Sequence, residues 1–221
     1  MVSPKNFLSS IFKRSGGPSR LIGMDIGSTS VKLMELERAG DGLRLIRQLI
    51  QEMPAGADRD GWLRSALKEF NATEVRLAID GPDVAVRRVT IPPMSANERA
   101  EAIKWQVKDQ IPFPVQEAVL DYRVVGEVWN KDLKQADVLV AAVTRSHVKD
   151  LVGAVERAGA RVASVLPTTL VLWSCVRELL PEAKKGSIVV LEMGASATHI
   201  AIVKEGQVRV VRDIGIGSVN L

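Results

Sequence analysis

The sequence predicts an α/β protein of two related halves separated by an α/β insertion. Three observations carry this. A pattern of apolar run, carboxylate, apolar residue, glycine, small residues and second apolar run starts at Leu21 and again at Ile188, a constant offset of 167 residues. Each copy continues through a charged turn into a third apolar run, so each reads as a three-strand meander. Between the copies, helical spacing alternates with short strand-like runs.

In order along the chain, residues 1–20 form a distinct tail. Phe7, Leu8, Ile11 and Phe12 share one helical face, with Lys5, Lys13 and Arg14 around it. Two readings stand open: a short helix on an anionic membrane surface, made by residues 1–15, or a disordered tail ahead of Gly16-Gly17-Pro18. The first half, 21–83, holds the first meander to residue 52. A helix over Asp58–Phe70 follows, capped by Asp58, then a buried strand Val75–Ile79 that ends at the turn Asp80-Gly81-Pro82.

Residues 84–166 read as the insertion. Val84–Ile91 is strand-like, and Ser95 with Glu98 makes a capping box for a helix to about Gln110. Ala100, Ile103 and Val107 form its apolar stripe. Trp105 lies off that stripe, so it either serves a partner or is covered by a neighbouring element. Ile111-Pro112-Phe113-Pro114 breaks the helix. Strands Val119–Trp129 and Ala136–Thr144 follow, then a helix capped by Ser146 reaching Ala158-Gly159, then a strand Arg161–Leu166. His147 reads as a surface residue, with no cluster of ligating side chains beside it. Pro167 opens a linking helix, Thr168–Leu180, within residues 167–185. Residues 186–221 hold the second meander, Ser187–Ile214, and then Gly215-Ile216-Gly217-Ser218, which suggests another helix start.

Composition narrows the class. A hydrophobic content of 46% suits a chain with a real core. The single cysteine, Cys175, excludes an internal disulfide, suits a reducing cytoplasm, and sits in an apolar stretch that reads as core. The isoelectric point of about 9.3 is a tail effect. Lys5, Lys13, Arg14 and Arg20 carry the whole net charge of +4, and residues 21–221 balance. Nucleic acid is therefore not expected as a partner. The longest apolar run, Val165–Val176, is too short to span a bilayer and contains Thr168, Thr169 and Ser174. Lys13 and Arg14 interrupt the N-terminal apolar run, so a secretory leader is not expected there.

The repeated turn has a definite chemistry. Gly27 and Gly194 permit a tight bend and close approach of a ligand. Ser28, Thr29 and Ser30 offer backbone N–H groups and hydroxyls to a phosphate. Asp25, two residues before the glycine, can hold Mg²⁺ through water. The alternative is a pair of ordinary hairpins; two copies in one register favour the binding reading.

The pair resembles the two phosphate motifs of the actin, Hsp70 and sugar-kinase superfamily, whose two halves clamp a nucleotide. Within it, Asp25-Ile26-Gly27-Ser28-Thr29-Ser30-Val31-Lys32 resembles the PilM family, actin-like cytoplasmic proteins of type IV pilus assembly related to FtsA. Gln110-Ile111-Pro112-Phe113-Pro114 followed by Leu120-Asp121-Tyr122 agrees. The similarity covers about residues 20–221.

The resemblance implies an actin-like (RNase H-like) fold that binds ATP and Mg²⁺. Asp25 and Glu192 would hold the metal. Gly27, Ser28, Thr29 and Ser30 would cradle phosphates with Gly194, Ala195, Ser196 and Ala197, and Gly217 would approach the ribose or phosphates. Lys32 would either touch phosphate or stand as an ordinary strand-face lysine. Glu192 replaces the family's usual Asp and reaches one methylene further. Ser164, Val165 and Leu166 precede the linking helix where an acidic residue is usual, so no general base is evident and the chain would be at most a weak ATPase. The insertion corresponds to the extra subdomain of PilM and FtsA, where a groove would receive the cytoplasmic tail of a PilN-like inner-membrane protein. Other pilus assembly proteins would be further partners, and the location would be cytoplasmic, peripheral to the inner membrane. The family's second half continues further, so this one is expected to be incomplete, the chain being a fragment or a shortened relative. Two alternatives differ in class: a non-enzymatic scaffold like the cytoplasmic domain of GspL in type II secretion, and a sugar kinase, for which only Asp80 and Asp121 offer a catalytic carboxylate.

Overall fold

The computed structural model describes residues 20–39, 42–54 and 56–220. The amphipathic segment expected over residues 1–15 lies outside the described residues. Three sheets make up the described chain. The first runs in the order β3-β2-β1-β4-β8. Its meander is β1 (Arg20–Ile26), β2 (Ser30–Ala39) and β3 (Gly42–Glu52), and β4 (Glu74–Ile79) and β8 (Arg161–Pro167) extend it in parallel. Alternating Met24, Ile26, Val31 and Leu33 put an apolar face inward, the period-2 pattern that fixes register.

Helix α1 (Arg59–Glu69) covers that face with Trp62, Leu63, Ala66 and Leu67. Its first turn is closed by Asp58, which accepts from Asp60 N at 3.2 Å and Gly61 N at 3.0 Å. Trp62 Nε1 donates to Glu52 O at 3.1 Å, which ties the helix to the end of β3.

The insertion's sheet has the order β5-β7-β6, with β5 (Val84–Ile91), β6 (Ala118–Asn130) and β7 (Leu133–Thr144). Lys131 and Asp132 take positive φ, 45° and 67°, as a two-residue hairpin turn of the primed type requires. Helix α2 (Ala96–Val107) lays Ile103 and Val107 on this sheet, against Ile91, Val138 and Val140. The Ser95–Glu98 capping box forms as read. The helix ends at Val107 rather than near Gln110, where Gln110 N donates three residues back to Val107 O and the last turn tightens.

The parallel pairing of β8 with β4 alters the expected organisation. Residues 145–166 were expected inside the insertion. Helix α3 (Arg145–Arg157) instead packs its Ala154 and Val155 into the core of the five-stranded sheet, and β8 pairs along β4 from Glu74↔Arg161 to Ile79↔Pro167. A parallel pair needs a long crossover, and the insertion with α3 is that crossover. Thr144, not Ser146, caps α3: its hydroxyl accepts from His147 N, and its own backbone is still extended. His147 is half-buried rather than a surface residue, with Nε2 2.8 Å from Asp80 O.

Helix α4 (Thr168–Leu179) leads to the third sheet, order β11-β10-β9, made of β9 (Ser187–Met193), β10 (Thr198–Lys204) and β11 (Gln207–Ile214). Leu170 and Trp173 of α4 share one core with Val86, Leu139 and Ala141 of the insertion and Ala201, Val203, Val208 and Val211 of the third sheet. Arg88 pins the same junction. It pairs with the buried carboxylate of Asp137 (Nε to Oδ1, 2.7 Å) and donates to Val208 O at 2.8 Å and Gln207 Oε1 at 2.9 Å. Cys175, expected in the core, is exposed on α4, because the inward stripe is Thr169, Leu170 and Trp173. Among the described residues no helix is long and apolar enough to cross a membrane.

Candidate functional site

The two repeated turns fold alike. Gly27 N donates to Ser30 O at 2.9 Å, and Gly194 N donates to Ala197 O at 2.8 Å. In both, a Cβ on the glycine would crowd that same carbonyl, at 3.2 Å and 3.1 Å. Ser28, Thr29 and Ser196 are exposed, while Ser30, Ala195 and Ala197 are half-buried. The first turn is held from behind by Met53 N, which donates to Thr29 O at 2.8 Å.

The second turn is held by the segment after β11. Ser218 N reaches Gly194 O at 2.9 Å, Val219 N reaches Ala195 O at 3.1 Å, and Thr198 Oγ1 donates to Ile216 O at 2.7 Å. Gly217 is buried there, and a Cβ on it would lie 2.2 Å from Ala195 O. Close approach explains this glycine, and what it approaches is the turn's own backbone. The expected new helix is a short 3₁₀ turn, Ser218–Asn220.

Register brings the charged residues together. Asp25 on β1 is the cross-strand partner of Lys32 on β2, and the equivalent pair in the second copy is Glu192 with His199. Such partners project from the same face of the sheet. Lys32 Nζ lies 2.7 Å from Asp25 Oδ2. Burial opposes its charge, but that contact and the fields of Glu192 and Asp80 outweigh it and hold the amine above its ordinary pKa. Lys32 thus answers a carboxylate of its own turn.

His199 is 3% exposed and is met by three carboxylates. Nδ1 is 2.7 Å from Asp213 Oδ1; Nε2 is 3.2 Å from Asp80 Oδ2 and 3.7 Å from Glu192 Oε2. Asp213 first, then Asp80, push the imidazole up to about 10 against the effect of burial, so it is a cation at neutral pH with both nitrogens donating. Asp80 follows β4, parallel to β1, and so stands at the same carboxyl edge of the sheet as Gly27, the edge where open α/β sheets bind ligands.

Sequence reading placed Asp25, Lys32 and Glu192 here and missed His199 and Asp213, while Asp80 was weighed only as a sugar-kinase carboxylate. The signal for His199 was present: it sits at the offset from Lys32 that separates the two copies, so a repeated carboxylate–cation pair was implied. The edge thus joins four carboxylates and two cations beside two phosphate-sized turns. It can take an anion on the exposed N–H and hydroxyl groups, with a divalent cation between that anion and the carboxylates.

Comparison with known proteins bears on the family and the fold. A family model described as type IV pilus assembly protein PilM matches residues 23–221. A chain in a PilM–PilN type IV pilus biogenesis complex is 22% identical, with a TM-score of 0.76 over 90% of this chain and 62% of that one. The cytoplasmic domain of EpsL, an inner-membrane component of the type II secretion system of Vibrio cholerae, is 15% identical, with a TM-score of 0.59 over 88% of this chain and 71% of that one. The fold is actin-like, as the resemblance implied. The chain spans less than two thirds of the length of the chain it matches in the pilus complex.

Proposed function

This chain belongs to the type IV pilus assembly protein PilM family, and from that premise we propose that it holds Mg-ATP between its two turns while its insertion takes the short tail of a PilN-like inner-membrane protein. The observation that carries the nucleotide reading is the equivalence of the turns: the same closing hydrogen bond and the same cross-strand carboxylate–cation pair, in two halves that meet at Asp80 and His199.

The residues fit the group. Mg²⁺ uses one or two protein carboxylates, often through water, together with substrate phosphates, and Asp25 and Glu192 supply those carboxylates. The metal would offset phosphate charge. Ser28, Thr29 and Ser196 would donate to the phosphates, with Gly27 and Gly194 letting the backbone come close. Lys32 and His199 keep the carboxylates aligned and partly neutralised. Helix α4 starts at Thr168 with no carboxylate in its first turn, so the reading is of a nucleotide-binding protein with slow hydrolysis at most.

A cavity of about 700 Å³ supports the tail site. It lies between α2, residues 115–120 and Arg145 at the start of α3, lined by Trp105, Lys108, Val119 and Leu120 among others. It therefore spans the insertion and an element of the first half. Trp105 is 68% exposed, with Lys108 Nζ 4.4 Å above its ring; among the described residues no element covers it, which favours the partner role. In this reading the protein works on the cytoplasmic face of the inner membrane, with other pilus assembly proteins.

A second reading, a non-enzymatic scaffold of the GspL type, is favoured by one observation: Asp25 Oδ2 is already taken by Lys32. Calorimetric titration of Mg-ATP into the full chain separates the two. Micromolar binding lost in Asp25→Ala supports the clamp; no binding to the unaltered chain leaves the scaffold or a truncated clamp, which the same titration on a longer gene product separates.

A further inference from the structure

The seam between the insertion and the third sheet holds an arginine cluster that the proposed function does not use. Arg87 and Arg88 of β5 and Arg209 and Arg212 of β11 line a cavity of about 440 Å³ with Gln110. The four are not equivalent. Arg88 is answered by Asp137 and by two acceptors on β11. Among the described residues, Arg87, Arg209 and Arg212 form no ion pair.

Backbone carbonyls hold two of these three in place without neutralising them. Arg87 donates from Nε to Gln110 O at 2.6 Å and from Nη1 to Val86 O at 2.9 Å, and Arg212 donates from Nη1 to Val211 O at 2.9 Å. The carboxylate whose field reaches Arg87, Asp213, is engaged by His199 at 2.7 Å. Burial first, and then the charge of Arg212, press Arg87 below its ordinary pKa. Guanidinium groups pinned by neutral acceptors, with donors left over and a cavity in front of them, form a receptor for a planar-edged oxyanion.

We propose that this seam binds a phosphate-type dianion through Arg87, Arg209 and Arg212. Three cations exceed what a single carboxylate can balance, whereas a phosphomonoester or inorganic phosphate brings about two charges and several acceptor oxygens. The group comes either from solution or from a lipid headgroup. Because β5 belongs to the insertion and β11 to the second half, the ligand bridges them at the junction that Arg88 already fastens.

The test uses the full chain in phosphate-free buffer at fixed ionic strength. Inorganic phosphate is titrated calorimetrically into the unaltered protein, into Arg209→Gln/Arg212→Gln, and into Arg59→Gln/Arg64→Gln, which removes the same charge from an exposed face of α1. Both altered arginines of the seam are exposed, so folding is preserved and is checked by thermal melting. Saturable one-site binding is expected, weakened roughly tenfold or more by the seam variant and unchanged by the control. Cosedimentation with phosphatidic acid vesicles against phosphatidylglycerol vesicles assigns the source. Preference for phosphatidic acid, lost in the seam variant, points to a headgroup; phosphate binding without that preference points to a soluble ligand. Equal weakening in both variants, full binding by the seam variant, or binding to neither phosphate nor vesicles overturns the proposal.

Discussion

His199 of the second half lies 3.2 Å from Asp80 of the first, and its other ring nitrogen lies 2.7 Å from Asp213. One buried imidazolium therefore joins the two halves at the edge where the repeated turns stand. Its pKa is raised from 6.5 to about 10, so its contribution is complete below pH 6.5 and is lost as pH climbs through about 10. The urea midpoint should decline across that window for the unaltered protein. His199→Gln should lower the midpoint near neutrality and flatten the decline; an equal slope in both proteins would show that another group carries it.

Gly217→Ala should destabilise the protein by about 1–3 kcal/mol, because the added methyl meets Ala195 O and must displace backbone. The same displacement acts on the second turn, so Mg-ATP affinity should fall with it. Chemical denaturation and calorimetry on the one variant check both effects.

Arg88→Ala should cost about 3–5 kcal/mol, since it leaves the Asp137 carboxylate, only 4% exposed, buried without its cation. Arg88→Met combined with Asp137→Leu should recover much of that loss. A double variant as unstable as the single one would place the cost in lost packing instead.

Trp105→Ala should leave stability within about 0.5 kcal/mol, as expected for an exposed surface side chain. It should weaken capture of a PilN-like tail peptide. In the unaltered protein, Trp105 emission should shift as the peptide binds, and unchanged affinity in the variant would move the tail site elsewhere.

Most strands and helices were legible in the sequence because their periods are local: two residues for β4 and β10, a helical stripe for α1. Sheet membership was not. The run Arg161–Leu166 reads as a strand, yet nothing within it says that its partner is β4, some 87 residues earlier at Arg161 and Glu74. That choice is made by a crossover whose length hides it. The phosphate-sized turns were legible because they occur twice. Asp213 was not, since an acid in an alternating strand looks like solvent-facing decoration until register sets it against His199. Cys175 misled because a run apolar on every side conceals which face of α4 turns inward.

The common core of the insertion, α4 and the third sheet has a mechanical meaning. Arg88 fastens β5 to β11, while Val84 of β5 and Val143 of β7, paired at one end of the insertion's sheet, belong to the core of the five-stranded sheet. The insertion is therefore a splice set into both halves rather than an arm hung from one of them. A substitution that loosens its sheet should be felt in both cores at once.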